Sequence, residues 1–426
     1  MKLHIRHVDI KDVQFTEGSS CIKHNRLFIN QADLDRFILE DERILSCQIE
    51  LAKPGQSVRI IPVKDVIEPR AKIDGQLFSG ILDHMDELGS GTTIALKGCA
   101  IVTTGAIVGF QEGIIDMSGP LVDYTPFASL QNIVLVIEKK PHLSAHEHEQ
   151  MIRETGIRVA EHIGRLGFTV MGEEMELEWP DLVSRSRRYP DLPKVGYLCL
   201  CMAQGLLHDT YFYGKKVQHI VPTMVSPLEV FDGAIVSGNC VSPGSKTTTW
   251  HHQNNAVMNE CLNRHSDSLN FMAMAISPLM TTLEEKYRNT LLAAKLMISL
   301  GVDGVVISQE GFGNPTTDLM MICRELEKNG IKTVLISNED AGVDGLSEPL
   351  PDGTPEADAI ISTGNSNATI ELPVMERVIG DLKAVERITG GFVGSIQPDG
   401  RLIIEIHGIM GSHNLQGYNK LQARTV

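Results

Sequence analysis

The sequence predicts an α/β protein, with a β-rich N-terminal domain and, over the C-terminal two-thirds, a largely parallel sheet with flanking helices. Three observations predict it. Residues 1–140 carry apolar residues at a period of two, broken by turn residues. At about residue 146 the period changes to that of a helix. From residue 195 onward, short apolar runs alternate with segments of helical spacing, the pattern of strand–helix–strand units.

Taken in order, Cys47-Gln-Ile-Glu-Leu51 and Ser57-Val-Arg-Ile-Ile-Pro-Val63 alternate around Lys53-Pro54-Gly55, which predicts two strands and a turn. Ala100-Ile-Val-Thr-Thr-Gly105 and Ala106-Ile-Val-Gly-Phe110 predict a hairpin turning at Gly105. Asn132-Ile-Val-Leu-Val-Ile137 is a further buried strand. Residues 146–166 place Met151, Ile152, Ile157, Val159, Ile163 and Leu166 on one helical face, with Ser144 as N-cap. The polar stretch Ser184 to Pro193 reads as a linker. Strands are then expected at 195–202, 218–223, 233–237, 270–276, 304–308, 332–337 and 358–362. Helices are expected at 256–265, 283–300, 316–328 and 372–382. The tail predicts a hairpin of 391–396 with 402–407 across Pro398-Asp399-Gly400. These shifts divide the chain into a β-rich domain at 1–145, a helical connector and linker at 146–190, and an α/β domain at 191–426.

Composition narrows the function. Hydrophobic residues make up 42% and charged residues 22%, as in soluble globular proteins. The net charge of −16 is spread evenly, −8 on either side of the Asn239-Cys240 bond, with no basic patch. That argues against nucleic acid or an anionic membrane as partner. The chain opens on a strand-like alternation rather than a signal peptide, and it has no 18-residue apolar run to cross a membrane. Eight scattered cysteines without a C-x-x-C pair read as reduced thiols of a cytoplasmic protein. Cys199 and Cys201 share one strand face and read as core.

Open α/β sheets bind ligands beyond the carboxyl ends of their strands. Three expected strands end in polar, glycine-rich loops: Ser237-Gly-Asn-Cys-Val-Ser-Pro-Gly244, Ser308-Gln-Glu-Gly-Phe-Gly-Asn-Pro315 and Ser362-Thr-Gly-Asn-Ser-Asn367. Their backbone amides and amide side chains suit a small carboxylate, so Gly311, Gly313, Asn314 and Asn365 are candidate substrate-binding residues. Glu112 and Glu310, each in a Gln-Glu-Gly context, either neutralise a substrate ammonium or cap a turn. At Asn239-Cys240 a thiolate can attack the preceding carbonyl and replace the amide by a thioester. Loss of that thioester at Cβ leaves dehydroalanine, and hydrolysis then gives ammonia and a pyruvoyl group. Such a keto group forms imines with amines and acts as an electron sink. His208 and the pair His251-His252 are near enough in sequence to deprotonate the thiol or protonate a leaving amine. His146 and His148 splay apart at a helix start, so no metal site is expected. Trp250 and Tyr287 read as core rather than as faces for a methylated ammonium.

Several stretches resemble component B of the glycine/sarcosine/betaine reductases: Ile60-Ile-Pro-Val-Lys-Asp-Val-Ile-Glu-Pro-Arg70, Gly109-Phe-Gln-Glu-Gly-Ile-Ile-Asp-Met-Ser-Gly119, Gly205-Leu-Leu-His-Asp-Thr210, Gly233-Ala-Ile-Val-Ser-Gly-Asn-Cys240 and Ser308-Gln-Glu-Gly-Phe-Gly-Asn-Pro315. The resemblance covers essentially the whole chain, and the proline reductase proprotein is a more distant relative. It implies a precursor of the α and β subunits, cleaved before Cys240, which becomes the catalytic pyruvoyl group. It further implies reductive cleavage of a C–N bond in a small amino acid, together with a selenoprotein subunit of component B and selenoprotein A, in a cytoplasmic hetero-oligomer of amino-acid fermentation. Selenium-dependent members carry a second cysteine shortly after the processed one. This chain has Ser242-Pro243-Gly244-Ser245 there, which leaves the redox partner and the substrate branch open. Two other classes stay open as well. One is an N-terminal-nucleophile amidohydrolase with Cys240 kept as a thiol, and the other is an unprocessed binding subunit of a reductase complex.

Overall fold

The apolar stretch Val58–Ile67 forms a strand that is buried along its whole length, charged residues included. Its alternation therefore does not mark one wet and one dry face, because both faces are covered. A computed structural model describes residues 1–82, 84–204, 207, 209–238 and 241–417. Within it, Val58–Ile67 sits in a mixed sheet ordered Gly113–Asp116, Val58–Ile67, Cys99–Gly105, Gln131–Lys139, Ile44–Ala52. Arg377–Gly380, far along the chain, adds to Val58–Ile67 in parallel.

The helix Ala145–Gly164 covers one face of this sheet. Met151, Ile152, Ile157, Val159 and Ile163 share a core with Ile67, Ile101, Ile133 and Leu135. Each such side chain contributes about 1.5–3 kcal/mol by leaving water. A Cβ on Gly156 would lie 2.7 Å from Thr103 Cγ2, so the helix approaches the sheet as closely as only glycine allows. Ser144 caps the helix as the sequence predicts. Its side chain accepts from the Glu147 amide at 3.2 Å, and Glu147 accepts in return from the Ser144 amide at 2.8 Å. Replacing Ser144 with Ala is expected to lower stability by about 1 kcal/mol without altering the fold, read by urea unfolding.

A second sheet is ordered Glu173–Glu178, Lys2–Asp9, Gly91–Lys97, Arg70–Lys72 and mixes parallel and antiparallel pairs. The C-terminal sheet is ordered Thr223–Val225, Asn270–Leu279, Lys194–Met202, Gly304–Gln309, Lys332–Glu339, Ile360–Asn365, with Thr223–Val225 antiparallel at its edge. The sheets are therefore mixed, not largely parallel. Strand–helix alternation shows that a crossover exists, but it does not fix the direction of a three-residue edge strand or of the N-terminal strands.

Helices Ala256–Arg264, Leu283–Ser299 and Asn314–Lys328 lie where the periodicity places them. Four other expectations are corrected. Residues 184–193 begin in a helix, Leu182–Arg188, whose Arg185 is buried over the Trp179 ring. The hairpin at Gly105 is replaced by pairing of Cys99–Gly105 with Gln131–Lys139 and Val58–Ile67. The helix expected at 372–382 is absent, because Pro373 follows the strand Thr369–Leu372 and the chain then enters Arg377–Gly380. In the tail, Leu402–Glu405 pairs with Thr369–Leu372, and 391–396 contributes a single bridge, Ile396 to Leu402. Among the described residues, no helix is long and apolar enough to cross a membrane.

Candidate active site

In the C-terminal sheet, Lys194–Met202 lies between Asn270–Leu279 and Gly304–Gln309, so the chain is laid outward in both directions from it. Such a switch in strand order opens a crevice at the carboxyl ends. A cleft of about 520 Å³ lies there. Its wall combines Met202, Gln204, Gly311, Phe312 and Gly313 with Asn338, Asp340 and Ser366, and Val241 and Ser242 close one side. After Gly304–Gln309 the chain makes a glycine turn, with Gly311 at φ +74° and Gly313 at φ +81°. Gly311 packs against Met202, and its φ of +74° is one that residues with a Cβ rarely adopt. The turn feeds the helix Asn314–Lys328, and its N-terminal amides and dipole favour an anion. Asp340, Glu348 and His407 also line the cleft. No Lys or Arg does so among the described residues.

Behind Gly238 lies a second, much smaller space of about 20 Å³, enough for roughly one water. It is lined by Lys64, Asp65, Glu149, Arg153, Ser237, Gly238 and Lys246, among others. Lys246 donates to the Lys64 carbonyl at 2.6 Å, and Lys64 donates to Glu112 at 3.2 Å. Asp65 accepts from the Thr249 hydroxyl at 2.6 Å and from the Thr249 amide at 3.0 Å. Burial lowers the pKa of both lysines, against the pull of Glu112 on Lys64 and of Asp65 on Lys246. Burial likewise raises the pKa of Asp65, against Lys246. The three groups are thus drawn toward their uncharged forms, a poise suited to moving protons.

The family model described as glycine/sarcosine/betaine reductase component B subunits matches residues 1–424. The chain belongs to this family. It is an oxidoreductase family, and the match leaves out only the last two residues. The chain is 44% identical over 430 residues to the glycine reductase complex component B subunits alpha and beta of Acetoanaerobium sticklandii, covering 100% of both. It is also 44% identical over 427 residues to the sarcosine reductase complex component B subunit alpha of Peptoclostridium acidaminophilum, again covering 100% of both. A D-proline reductase proprotein of Acetoanaerobium sticklandii is 22% identical over 365 residues, which cover 79% of this chain and 54% of that protein. No solved structure matches the chain.

Set against this family's chemistry, the residues singled out from sequence fall into three groups. Asn239, Cys240 and His208 lie outside the described residues. Gly311 and Gly313 line the cleft, and Asn314 stands at its helix start, where its side-chain oxygen accepts from Gln204 at 2.8 Å. Glu310 turns inward instead. It accepts from the Met202 amide at 2.7 Å and the Thr210 hydroxyl at 2.5 Å, with its other oxygen 3.3 Å from His252 Nε2. His252 is fully buried, and its Nδ1 has no hydrogen-bond partner among the described residues. His251 faces elsewhere. Its Nδ1 lies 2.9 Å from the Thr248 hydroxyl, and its ring packs edge-on against Phe127 and Trp250. Burial, with His252 beside it, pushes His251 down to about 3, so it stays neutral at working pH.

Glu112 accepts from the amides of Val108 and Gly109 as well as from Lys64. These partners hold it below the usual carboxylate range although burial pushes the other way. Its second oxygen has no partner among the described residues. Asn365 is spent on the neighbouring loop after Lys332–Glu339, accepting from Ala341 and donating to Gly342, and it is not among the residues lining the cleft. Trp250 packs on Phe127 as expected, whereas Tyr287 is half exposed rather than core. Sequence reasoning passed over Lys64, Asp65 and Lys246. The signal was present: four charged residues, Lys64, Asp65, Glu68 and Arg70, inside an otherwise apolar run.

Proposed function

We propose that the chain is the precursor of the α and β subunits of the substrate-handling component of an amino-acid reductase, cut between Asn239 and Cys240. The observation that carries this reading is the buried Lys64–Asp65–Lys246 group beside Gly238, one residue before the scissile pair, with the cleft opening at Val241 one residue after it. Buried lysines near Gly238 can stabilise negative charge developing as the Cys240 thiol adds to the Asn239 carbonyl. The C–N bond then breaks and the Cys240 nitrogen takes a proton, which leaves a thioester. A base removes the Cys240 α-proton, the Cβ–S bond breaks with its electron pair going to sulfur, and water releases ammonia from the resulting residue. Lys64 and Lys246, drawn toward the neutral amine by burial, and Asp65 are the groups at hand for these proton movements. The orphaned buried atoms Glu112 Oε2 and His252 Nδ1 fit a site completed by a further polar group. A pyruvoyl group at the head of the 240–426 fragment would supply an electron-withdrawing carbonyl for the substrate amine.

In the cleft, the amides of the Gly311–Gly313 turn and the start of Asn314–Lys328 suit the substrate carboxylate. Asp340, whose Oδ1 accepts from Ser366 at 3.0 Å, suits the ammonium. Phe312 is the one aromatic residue among the described lining, so an aromatic cage for a quaternary ammonium is missing there. This favours glycine or sarcosine over betaine. Among the described residues no pair of cysteines is exposed to carry electrons, which supports a reductant carried by a separate partner, such as the selenoprotein subunit that the resemblance implies.

Mass spectrometry of the purified protein tests this reading. The expected result is two fragments, 1–239 and 240–426, the second starting with a carbonyl group and no amine. The two are expected to stay together natively, since Asn270–Leu279 pairs with Lys194–Met202 and Arg377–Gly380 with Val58–Ile67 across the cut. A free N-terminal cysteine would instead indicate an amidohydrolase, and an intact chain a binding subunit.

A further inference from the structure

His407 lines the cleft together with Asp340 and Glu348, and it is the one described lining residue whose ordinary pKa lies near neutrality. It sits in the short turn Ile406–Gly408, directly after the strand Leu402–Glu405. Its backbone is fastened on two sides. The carbonyl accepts from the Gly244 amide at 2.8 Å, and the amide donates to the Ser366 carbonyl at 3.2 Å. A Cβ on Gly244 would lie 2.7 Å from His407 Cα, so the two segments are in close contact. Ser366 in turn donates its hydroxyl to Asp340 at 3.0 Å. His407 is thereby set between the chain just after Cys240 and the Asp340 carboxylate. Its Nε2 stands 2.9 Å from Glu405 Oε2. That carboxylate favours the tautomer with the proton on Nε2, which leaves a lone pair on Nδ1. Among the described residues no hydrogen bond engages Nδ1. The side chain keeps 19% of its surface exposed, so a small molecule in the cleft can reach it.

We propose that His407 is the catalytic base of the cleft, taking a proton from the substrate ammonium held by Asp340, while Glu405 orients its ring. The inference rests on the cleft being the amino-acid site. An ammonium nitrogen has no lone pair, so it sheds a proton before it can add to a carbonyl. The Nδ1 lone pair forms the new N–H bond, and the electrons of the broken N–H bond stay on the substrate nitrogen as its lone pair. Positive charge passes from the substrate to the imidazole, where Glu405 stabilises it. The titratable groups around the ring are Glu405, Asp340 and His413. Burial lowers the His407 pKa, against the pull of Glu405 and Asp340, so the base stands neutral at neutral pH. His413, pushed down to about 4 by burial, adds no charge there. The transfer to such a base is uphill, so it belongs to the reacting step and not to the resting complex.

The test uses the full-length protein once mass spectrometry has established its cut, carbonyl-headed state. Calorimetry measures the binding of glycine and of sarcosine. The rate at which glycine becomes fixed to the 240–426 fragment is read as mass gain after trapping with cyanoborohydride. His407→Gln is expected to bind glycine with unchanged affinity, because Asp340 and the helix start at Asn314 remain. It should fix glycine about 10²–10⁴-fold more slowly near neutral pH. The variant relies on amine already deprotonated in solution, so its deficit relative to the wild type should shrink about tenfold per pH unit as pH rises. Asp340→Asn should weaken binding instead. Glu405→Gln keeps the imidazole and should show a smaller loss of rate, again with binding intact. A His407→Gln variant that fixes glycine at the wild-type rate overturns the proposal. So does one that loses glycine binding, or one whose deficit is the same at every pH, since His407 would then only shape the site. Should His407→Gln fail to fold, Glu405→Gln carries the test, and a wild-type rate in it overturns the proposal. An uncut wild type, or one that binds neither glycine nor sarcosine, overturns the amino-acid reading of the cleft and this proposal with it.

Discussion

Cys240→Ala is expected to leave a single, folded, uncut chain of 426 residues with no reductase activity. The attack requires a nucleophile one bond from its own peptide, and Ala supplies none. The neighbouring hydroxyls are engaged elsewhere. Ser237 donates to the Gly238 carbonyl at 3.2 Å, and Ser242 lies 3.1 Å from the Ser245 hydroxyl. Cys240→Ser should be cut slowly at best, since an alkoxide forms less readily than a thiolate. The fold should survive both changes, because the sheets that join the two fragments do not depend on the cut. A denaturing gel decides the matter, and normal two-fragment migration of the Ala variant would falsify the assignment of Cys240.

Where local chemistry decided the structure, the sequence was readable. Ser144 with Glu147 announced a helix start, and the spacing of Leu283 through Met297 announced a helix. Gly311 and Gly313 announced a turn after the strand, and the structure sets that turn on the cleft wall. Long-range pairing was not readable. Nothing in residues 377–380 shows that they join a strand more than 300 positions earlier, and nothing in Gly105 shows that a strand from residue 131 blocks a hairpin there. Direction within the sheets was hidden for the same reason. The buried charges were misread because period-two alternation treats a polar residue as solvated, whereas Arg59 and Asp65 are as buried as the Ile residues beside them. Arg59 is held in place by a bidentate contact to Asp116, at 2.7 and 2.6 Å, a partner 57 residues away.

Lys246→Met is expected to slow self-cleavage by about 10²–10³-fold, the usual loss when one preorganised donor to a developing oxyanion is removed. Met keeps the length and most of the volume of the side chain, so the variant isolates the amino group and its N–H donors. Lys246 is almost completely buried, lines the small cavity with Gly238, and is surrounded by Asp65, Glu149, Glu112 and Glu310. Removing one partner of a buried charge pair costs about 3–5 kcal/mol when the other is left charged. Here the cost should fall short of that, because burial already pushes Asp65 toward its protonated form, and a neutral Asp65 keeps its bonds to Thr249. The linkage has a definite sign. Without Lys246 the folded-state pKa of Asp65 rises further above its unfolded value, so the folded state binds the extra proton and the variant loses stability as pH rises from the ordinary carboxylate range toward that raised pKa. Two readouts separate chemistry from folding: the rate at which the 1–239 and 240–426 fragments appear, and the urea midpoint measured across pH. Lys246→Arg keeps N–H donors for the developing oxyanion but cannot give up its proton, so cutting at no less than about a tenth of the wild-type rate is expected if Lys246 acts as the donor. A folded Lys246→Met variant that cuts as fast as the wild type would remove the buried lysines from the processing chemistry, whatever its stability.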